Sequence, residues 1–421
     1  MASPILLIGG PPGQLRKAHE LGLDIVYCQF PCEFGSADAA LVKSAILADY
    51  TDWDTLRPLA RAAHEAWGFS AVVSLTESGL DPAGRVSDLL GLGGTSYAVS
   101  HRFTDKLLMR RHLAAHAPQG AIAAAPLTGP GSMTDFGAAH GYPFIVKPAC
   151  GTSSFGVLRI AGPDSVPAAW RRIQRLREDY EHPLTYAFSL DEFMMEEYVE
   201  GAFHTVETFS FNGRHVVITI TETTTLDHLF VHDGHALPAR LDPAVEASIV
   251  NAATSFLTVM GLRDGPAHTE IKLSPRGPVV IESQNRAGGA LFSDMMQAVY
   301  GVDPQRLGIA WAAGLAGELA GRPVPDGGAA SWLLVAEPGR VVQIQGLDEV
   351  RADPDTVAVD LRVSPGDLVR PFDASWDGLG HVAVRGPDTG AARESCRKSL
   401  ARIKVQTEPG QIFPRDAPAA A

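Results

Sequence analysis

Residues 268–286 read His-Thr-Glu-Ile-Lys-Leu, then Ser274-Pro-Arg-Gly-Pro278, then Val-Val-Ile-Glu-Ser-Gln-Asn-Arg. Two short alternating runs around a turn of Ser, Pro and Gly specify a β-hairpin. If Leu273 pairs with Val279 across that turn, Ile271 faces Ile281 and Glu270 faces Glu282. Directly opposed residues have Cβ atoms ~4.5–5.5 Å apart, where like charges repel. Something positive has to sit between them. Alternation places His268, Lys272, Gln284 and Arg286 on the glutamates' face and sends Ile271 and Ile281 to the core. Hard oxygen ligands that bridge to phosphate oxygens favour magnesium. The plainer alternative is an exposed strand face on which Lys272 and Arg286 neutralise the acids. The sequel Arg286-Ala-Gly288-Gly289-Ala favours the metal reading, because a glycine pair lets a substrate or phosphate approach the backbone closely.

Lysine usage indicates where the phosphates would lie. Of 35 basic residues only seven are Lys, at 17, 43, 106, 147, 272, 398 and 404. Lys147 ends the apolar run Phe144-Ile-Val-Lys147, a position that needs a counter-ion. The turn after it, Pro-Ala-Cys-Gly151-Thr152-Ser153-Ser154-Phe-Gly156, exposes backbone N–H groups and hydroxyls suited to phosphate oxygens, without the Walker spacing. Lys106 lies in a helical stretch, where a solvated charge is the competing reading. The net charge of −13 gives an average field that repels nucleic acid and anionic lipid, so an anionic ligand needs a local site.

The first hundred residues alternate apolar runs (Ile5–Ile8, Asp24–Phe30, Ser70–Leu75) with helical stretches (Gln14–Leu21, 58–67), as a small parallel α/β domain would. A Gly/Ser-rich loop at Gly91–Ser100 precedes a polar helix from about Arg102, and Pro118–Ser132 reads as a linker. Strand-like runs then dominate (Phe144–Lys147, Val157–Ile160, Phe193–Tyr198, Thr205–Phe211, His215–Thr221, Ala267–Leu273, Val279–Ser283), interrupted by helices at about 166–180, 243–260 and 303–320. A third segment after Pro323–Gly328 carries strands at Ser331–Ala336, Val341–Gln345, Thr356–Val363 and His381–Arg385 and a helix at 388–402, and Pro414–Ala421 is expected to fray. The cysteines (Cys28, Cys32, Cys150, Cys396) form neither a zinc pattern nor a secreted framework, and no leader or spanning segment is evident, so a cytoplasmic protein with no membrane association is expected.

Phe193-Met-Met-Glu196-Glu197-Tyr198-Val199-Glu200-Gly201 is a strand running into a glycine turn, whose end groups suit an adenine edge; a buried strand with an exposed acidic end is the more common explanation of such a run. The order of helix lysine, strand lysine with glycine turn, Glu-Glu-Tyr-Val-Glu-Gly hinge and paired glutamates with a downstream arginine resembles the ATP-grasp superfamily of carboxylate–amine ligases. The resemblance is strongest to the branch of L-amino acid ligases that make dipeptides. It implies an α/β and α+β multidomain fold: an N-terminal α/β domain over 1–105, an ATP-grasp core over 106–328 with a lid at about 125–200, and a small β-rich C-terminal domain over 329–421. It also implies site roles. Lys106 and Lys147 would touch the ATP phosphates under a lid loop of Gly151, Thr152, Ser153, Ser154 and Gly156. Glu196 and Val199 would read adenine through their backbone, with Glu197 beside them and His204 near the ribose. Glu270 and Glu282 would hold magnesium, with manganese as the alternative ion. Arg286 would stabilise charge on the transferred phosphoryl group or on the intermediate, and His268, Gly288 and Gly289 would contact substrate. Two places depart from the family pattern. Its usual Asn metal ligand is replaced by Gln284, with Asn285 next to it, so either could ligate, and its Glu-x-Gly-His segment becomes His232-Asp-Gly234-His235 in a middle loop.

The implied reaction joins a small carboxylic or amino acid to an amine through an acyl phosphate, releasing ADP and phosphate. The expected partners are small-molecule acid and amine substrates, no nucleic acid, and a second copy of the chain as a homodimer. The rival readings are a related enzyme acting on bicarbonate, formate or a larger natural-product acid, and a nucleotide-binding module that has lost catalysis.

Overall fold

Four short apolar runs, β1 (Ile5–Ile8), β2 (Ile25–Gln29), β3 (Ser44–Leu47) and β4 (Ala71–Val73), pair in parallel in the order β3-β2-β1-β4. β1 and β2 are buried along their whole length, as expected of a parallel sheet covered on both faces by helices. Among those helices, Pro12–Glu20 follows β1, Trp53–Trp67 precedes β4 and Glu77–Leu90 follows it. The computed structural model describes residues 3–178, 188, 190–226 and 229–409; the expected fraying of Pro414–Ala421 and the last two residues of the 166–180 helix lie outside them.

A second sheet holds β5 (Ala124–Pro126), β6 (Phe144–Pro148), β7 (Leu158–Ile160) and β8 (Phe193–Glu197), antiparallel and ordered β5-β8-β6-β7. Its core joins Phe144, Val146, Phe193 and Met195 to Met133, Phe136 and Ile173 from the helices Pro130–His140 and Val166–Glu178. The stretch expected as a linker over Pro118–Ser132 therefore contains a paired strand and the start of a helix. Small, flexible residues there lie against β8 because tertiary pairing overrides their weak local preference.

The remaining strands are β9 (Ala202–Phe211), β10 (Arg214–Leu226), β11 (Val231–Leu237), β12 (Gly265–Ser274), β13 (Gly277–Gln284), β14 (Gly328–Leu334), β15 (Gly339–Gln345), β16 (Thr356–Leu361), β17 (Leu368–Val369), β18 (Gly380–Gly386) and β19 (Lys404–Glu408). Eight of them form one antiparallel sheet, β13-β12-β9-β10-β11-β14-β18-β16, and β17-β15-β19 form a smaller one. The expected boundary at 328/329 falls at the start of β14, and the large sheet runs across it through β11 and β14. The mixed architecture, with a parallel N-terminal sheet and a β-rich C-terminal region, is the one expected.

Three local expectations are corrected. The helix placed near Arg102 is two, Tyr97–Thr104 and Lys106–His116, broken at Asp105, whose carboxylate caps the second by accepting from Leu108 N. The 303–320 helix ends at Ala312. The middle loop at His232–His235 lies within strand β11.

Candidate active site

The hairpin of β12 and β13 opposes Glu270 and Glu282, but by a different register from the one expected. The turn is tighter, with Ser274 facing Gly277, Leu273 facing Pro278 and Ile271 facing Val280. A β-bulge between Ile271 and Glu270 absorbs the extra residue, Ile281, and brings the glutamates opposite each other. Ile271 is fully buried, as expected. Ile281 is only partly buried: it packs against Ile122, Val199 and Val279 and also borders the cavity. The carbonyls of Val280 and Ile281, displaced from regular pairing, accept from Arg110 Nη1 (2.9 Å) and Nη2.

Arg110 belongs to the Lys106–His116 helix, one turn beyond Lys106, and this i,i+4 spacing puts both cations on one face. Lys106 Nζ donates to Gly151 O (2.7 Å) and stands 3.8 Å from Glu282 Oε2. Lys147 and Glu196 are diagonal neighbours on β6 and β8, 2.6 Å apart, and Lys147 lies 3.7 Å from Glu282. Arg110 Nε donates to Glu196 Oε2 (3.1 Å). Lys147 thus has the counter-ion its position demanded.

The opposed carboxyls sit in unequal fields. Burial and the charge of Glu282 push Glu270 up to about 8. Burial also works against ionisation of Glu282, but Lys106, Lys147 and Arg110 outweigh it and hold that carboxyl down to about 2. Burial opposes the charge on Glu196 too, and Lys147 and Arg110 reverse the balance, lowering its pKa. Glu282 further accepts from Gln284 Nε2 (2.7 Å), which leaves the buried Gln284 Oε1 without a hydrogen-bond partner.

Apart from Arg110, which backs them, these groups line one cavity of about 570 Å³, within the range of small-molecule sites. Of the residues singled out from the sequence, Lys106, Lys147, Gly151, Thr152, Ser153, Ser154, Glu196, Glu197, Val199, His268, Glu270, Glu282, Gln284, Arg286 and Gly289 border it. Gly156, His204, Asn285 and Gly288 are not among its lining residues. His204 pairs with Ile271, so strand alternation turns it to the face opposite Glu270, where it is buried. Glu196 enters the site through its ion-paired carboxylate, while its backbone lies inside the sheet, between Ala124 and Ile145. Beyond the strand end, Val199 O accepts from Lys272 Nζ (2.9 Å). Gly288 packs where a Cβ would meet His268 Nδ1 at 2.8 Å and the Phe292 ring at 3.0 Å.

The loop between β6 and β7 carries two serines, Ser153 and Ser154, with left-handed backbone (φ 62° and 58°), the kind of strain that concentrates at functional sites. Ser154 Oγ donates to Phe230 O (2.7 Å), and Ser375 N–H donates to Ser153 O (3.1 Å).

Besides Arg110, two partners escaped the sequence reading. Glu77, at the start of its helix in the N-terminal region, holds Arg286 through Nε and Nη2, each at 2.8 Å. Glu207 faces His268 across β9 and β12 and meets its Nδ1 at 2.5 Å. Burial works against a charge on His268, but Glu207 outweighs it and raises the pKa. The i,i+4 spacing of Lys106 and Arg110 was a usable signal. Glu77, 209 positions away from its partner, carried none.

The profile of the ATP-grasp domain matches residues 140–294, and that of the L-amino acid ligase C-terminal domain 2 matches 331–408. Carnosine synthase 1 of Gallus gallus is 31% identical over 225 residues, 51% of this chain, but the chain spans only 24% of that protein's length. Alanine–anticapsin ligase of Bacillus subtilis (strain 168) is 26% identical over 342 residues, 71% of each protein. The crystal structure of L-amino acid ligase from Bacillus licheniformis superposes with a TM-score of 0.83 at 19% identity, covering 97% of this chain and all of that one, a likeness that shows the fold. Among the described residues, no helix is long and apolar enough to cross a membrane.

Proposed function

From a chain that carries an ATP-grasp domain followed by an L-amino acid ligase C-terminal domain 2, we infer an ATP-dependent ligase that joins a small carboxylic or amino acid to an amine. The observation that carries this reading is the convergence of Lys106 and Lys147 on Glu282, directly opposite Glu270 and beside the Gly151–Ser154 loop. Without a bound cation, two buried carboxylates side by side are a liability.

The donors present suit magnesium. Glu270 and Glu282 are hard oxygen ligands, and the orphaned Gln284 Oε1 on the same wall is a third; Asn285 Oδ1 is orphaned too, but Asn285 does not line the cavity, so Gln284 completes the set in this reading. When bound, the ion neutralises triphosphate charge. Lys106 and Lys147 hold phosphate oxygens, and N–H groups of the Gly151–Ser154 loop cover them. The substrate carboxylate attacks the γ-phosphorus, forming an acyl phosphate and releasing ADP. The amine then attacks the acyl carbon and phosphate leaves. Arg286, oriented by Glu77, stabilises the charge that develops. Closure of the loop keeps water from the acyl phosphate.

The test is a screen of paired amino acids and small acids for ADP and phosphate release, with mass spectrometry of the products. Amine-dependent ADP release with a new amide, lost in Glu282→Ala, is expected. ATP turnover without an amide product, or turnover unchanged in that variant, would overturn the reading.

A further inference from the structure

Part of the cavity wall comes from the C-terminal region, which the ATP chemistry above does not use: Asp360, Arg362, Ser375, Trp376 and His381. The other arginine of the cavity is more heavily engaged: three of the five donors of Arg286 are taken, by Glu77 at Nε and Nη2 and by Ala287 O (2.9 Å) at Nη1, and its remaining capacity serves the phosphoryl chemistry above. Arg362 is different. Its Nη2 donates to Gly378 O (3.1 Å), and its Nε stands 3.8 Å from Asp360, beyond hydrogen-bond reach. A guanidinium carries five donors, so most of its capacity faces outward from a side chain that is 36% exposed. Trp376 lies beside it, with the guanidinium carbon 5.7 Å from the ring centroid, and is itself 42% exposed on the cavity wall. An aromatic face next to an arginine with free donors suits a planar carboxylate with an organic side chain. Asp360 close by disfavours a dianion such as phosphate, and the neighbouring His381 is pushed down to about 4 by burial and by Arg362, so it adds no positive charge.

The position of this wall relates it to the reaction. Ser375, adjacent to Trp376, donates its N–H to Ser153 O, so the wall abuts the loop whose Gly151 O holds Lys106. A molecule seated on Arg362 and Trp376 lies next to the phosphate loop.

We propose that Arg362, backed by Trp376, is the residue that recognises the carboxylate of the amine-bearing substrate. This inference rests on the ligase reading. In the step it serves, the acceptor nitrogen attacks the carbonyl carbon of the acyl phosphate. The C–N bond forms, the bond between the acyl carbon and the bridging phosphate oxygen breaks with its electron pair leaving on phosphate, and the surplus amine proton passes to solvent.

The experiment has two arms. First, ATP-dependent hydroxamate formation with hydroxylamine is measured across the twenty L-amino acids and β-alanine as acyl donors. No hydroxamate from any donor would reject the ligase reading itself, whatever Arg362 does. Second, with the best donor, kcat/KM is compared for glycine and L-alanine against glycinamide and L-alaninamide as acceptors, in wild type, Arg362→Gln and Arg362→Lys. The expected result is a wild-type preference for the free acids of at least tenfold that collapses at least tenfold in Arg362→Gln and partly returns in Arg362→Lys. Because intrinsic amine reactivity is the same for both proteins, it cancels in that ratio. A wild type indifferent to the carboxylate, or a variant in which acids and amides fall equally, would overturn the assignment.

Discussion

Arg110 shows how one side chain sets several others. Its guanidinium joins Glu196 to the carbonyls of Val280 and Ile281, so it neutralises the partner of Lys147 and also satisfies the backbone that the bulge displaces. It is 3% exposed, and its removal would leave Glu196 with half its counter-charge and two peptide oxygens without these donors. Arg110→Met is expected to cost about 3–5 kcal/mol in urea unfolding, the range for breaking a buried pair from one side. Arg110→Lys should recover only part of it, since a point charge cannot serve both carbonyls and a carboxylate at once. A loss under about 1 kcal/mol in Arg110→Met would show that the bulge holds itself.

At the scale of elements, the hairpin shows what the sequence could and could not reveal. The opposition of Glu270 and Glu282 was legible because alternation and a Gly/Pro turn constrain it strongly. The path to it was not, because a bulge adds a residue without changing the hydrophobic pattern, and Ile281 reads as core in either register. Alternation along β9 separates its two faces but does not say which one meets the site. The resemblance placed it near the ribose, and only the pairing of His204 with Ile271 reveals the face it takes. Glu77 and Arg362 depend on contacts between distant segments, which no local period encodes. A second element contact carries a pH signature. His101, on the Tyr97–Thr104 helix, meets Asp81 of the Glu77–Leu90 helix at 2.7 Å. The hydrogen bond to Asp81 outweighs burial and raises the imidazole pKa. The pair's contribution is therefore full below the ordinary value of about 6.5 and fades as pH rises through the raised folded value. Thermal unfolding of His101→Gln should fall furthest below wild type at pH 5.5, with the gap narrowing by pH 8.5; a gap that widens with pH would contradict the assignment.

For the whole molecule, the cavity is a product of three regions. The N-terminal region supplies Glu77 to orient Arg286, the second sheet supplies Lys147 and Glu196, and the large sheet supplies the opposed glutamates and, through its C-terminal strands, Asp360 and the approach to Arg362. Such an arrangement explains why a net charge of −13 is compatible with an anionic ligand: the cations are concentrated where the chain segments meet. All of it depends on the carboxylate pair accepting a metal–triphosphate ligand. The most direct test is calorimetric titration of a non-hydrolysable ATP analogue into wild type and Glu282→Ala, each with and without magnesium. Tight binding by wild type that weakens at least tenfold when magnesium is withheld, and no such magnesium effect in the variant, is the predicted result; equal affinity in all four titrations would contradict it.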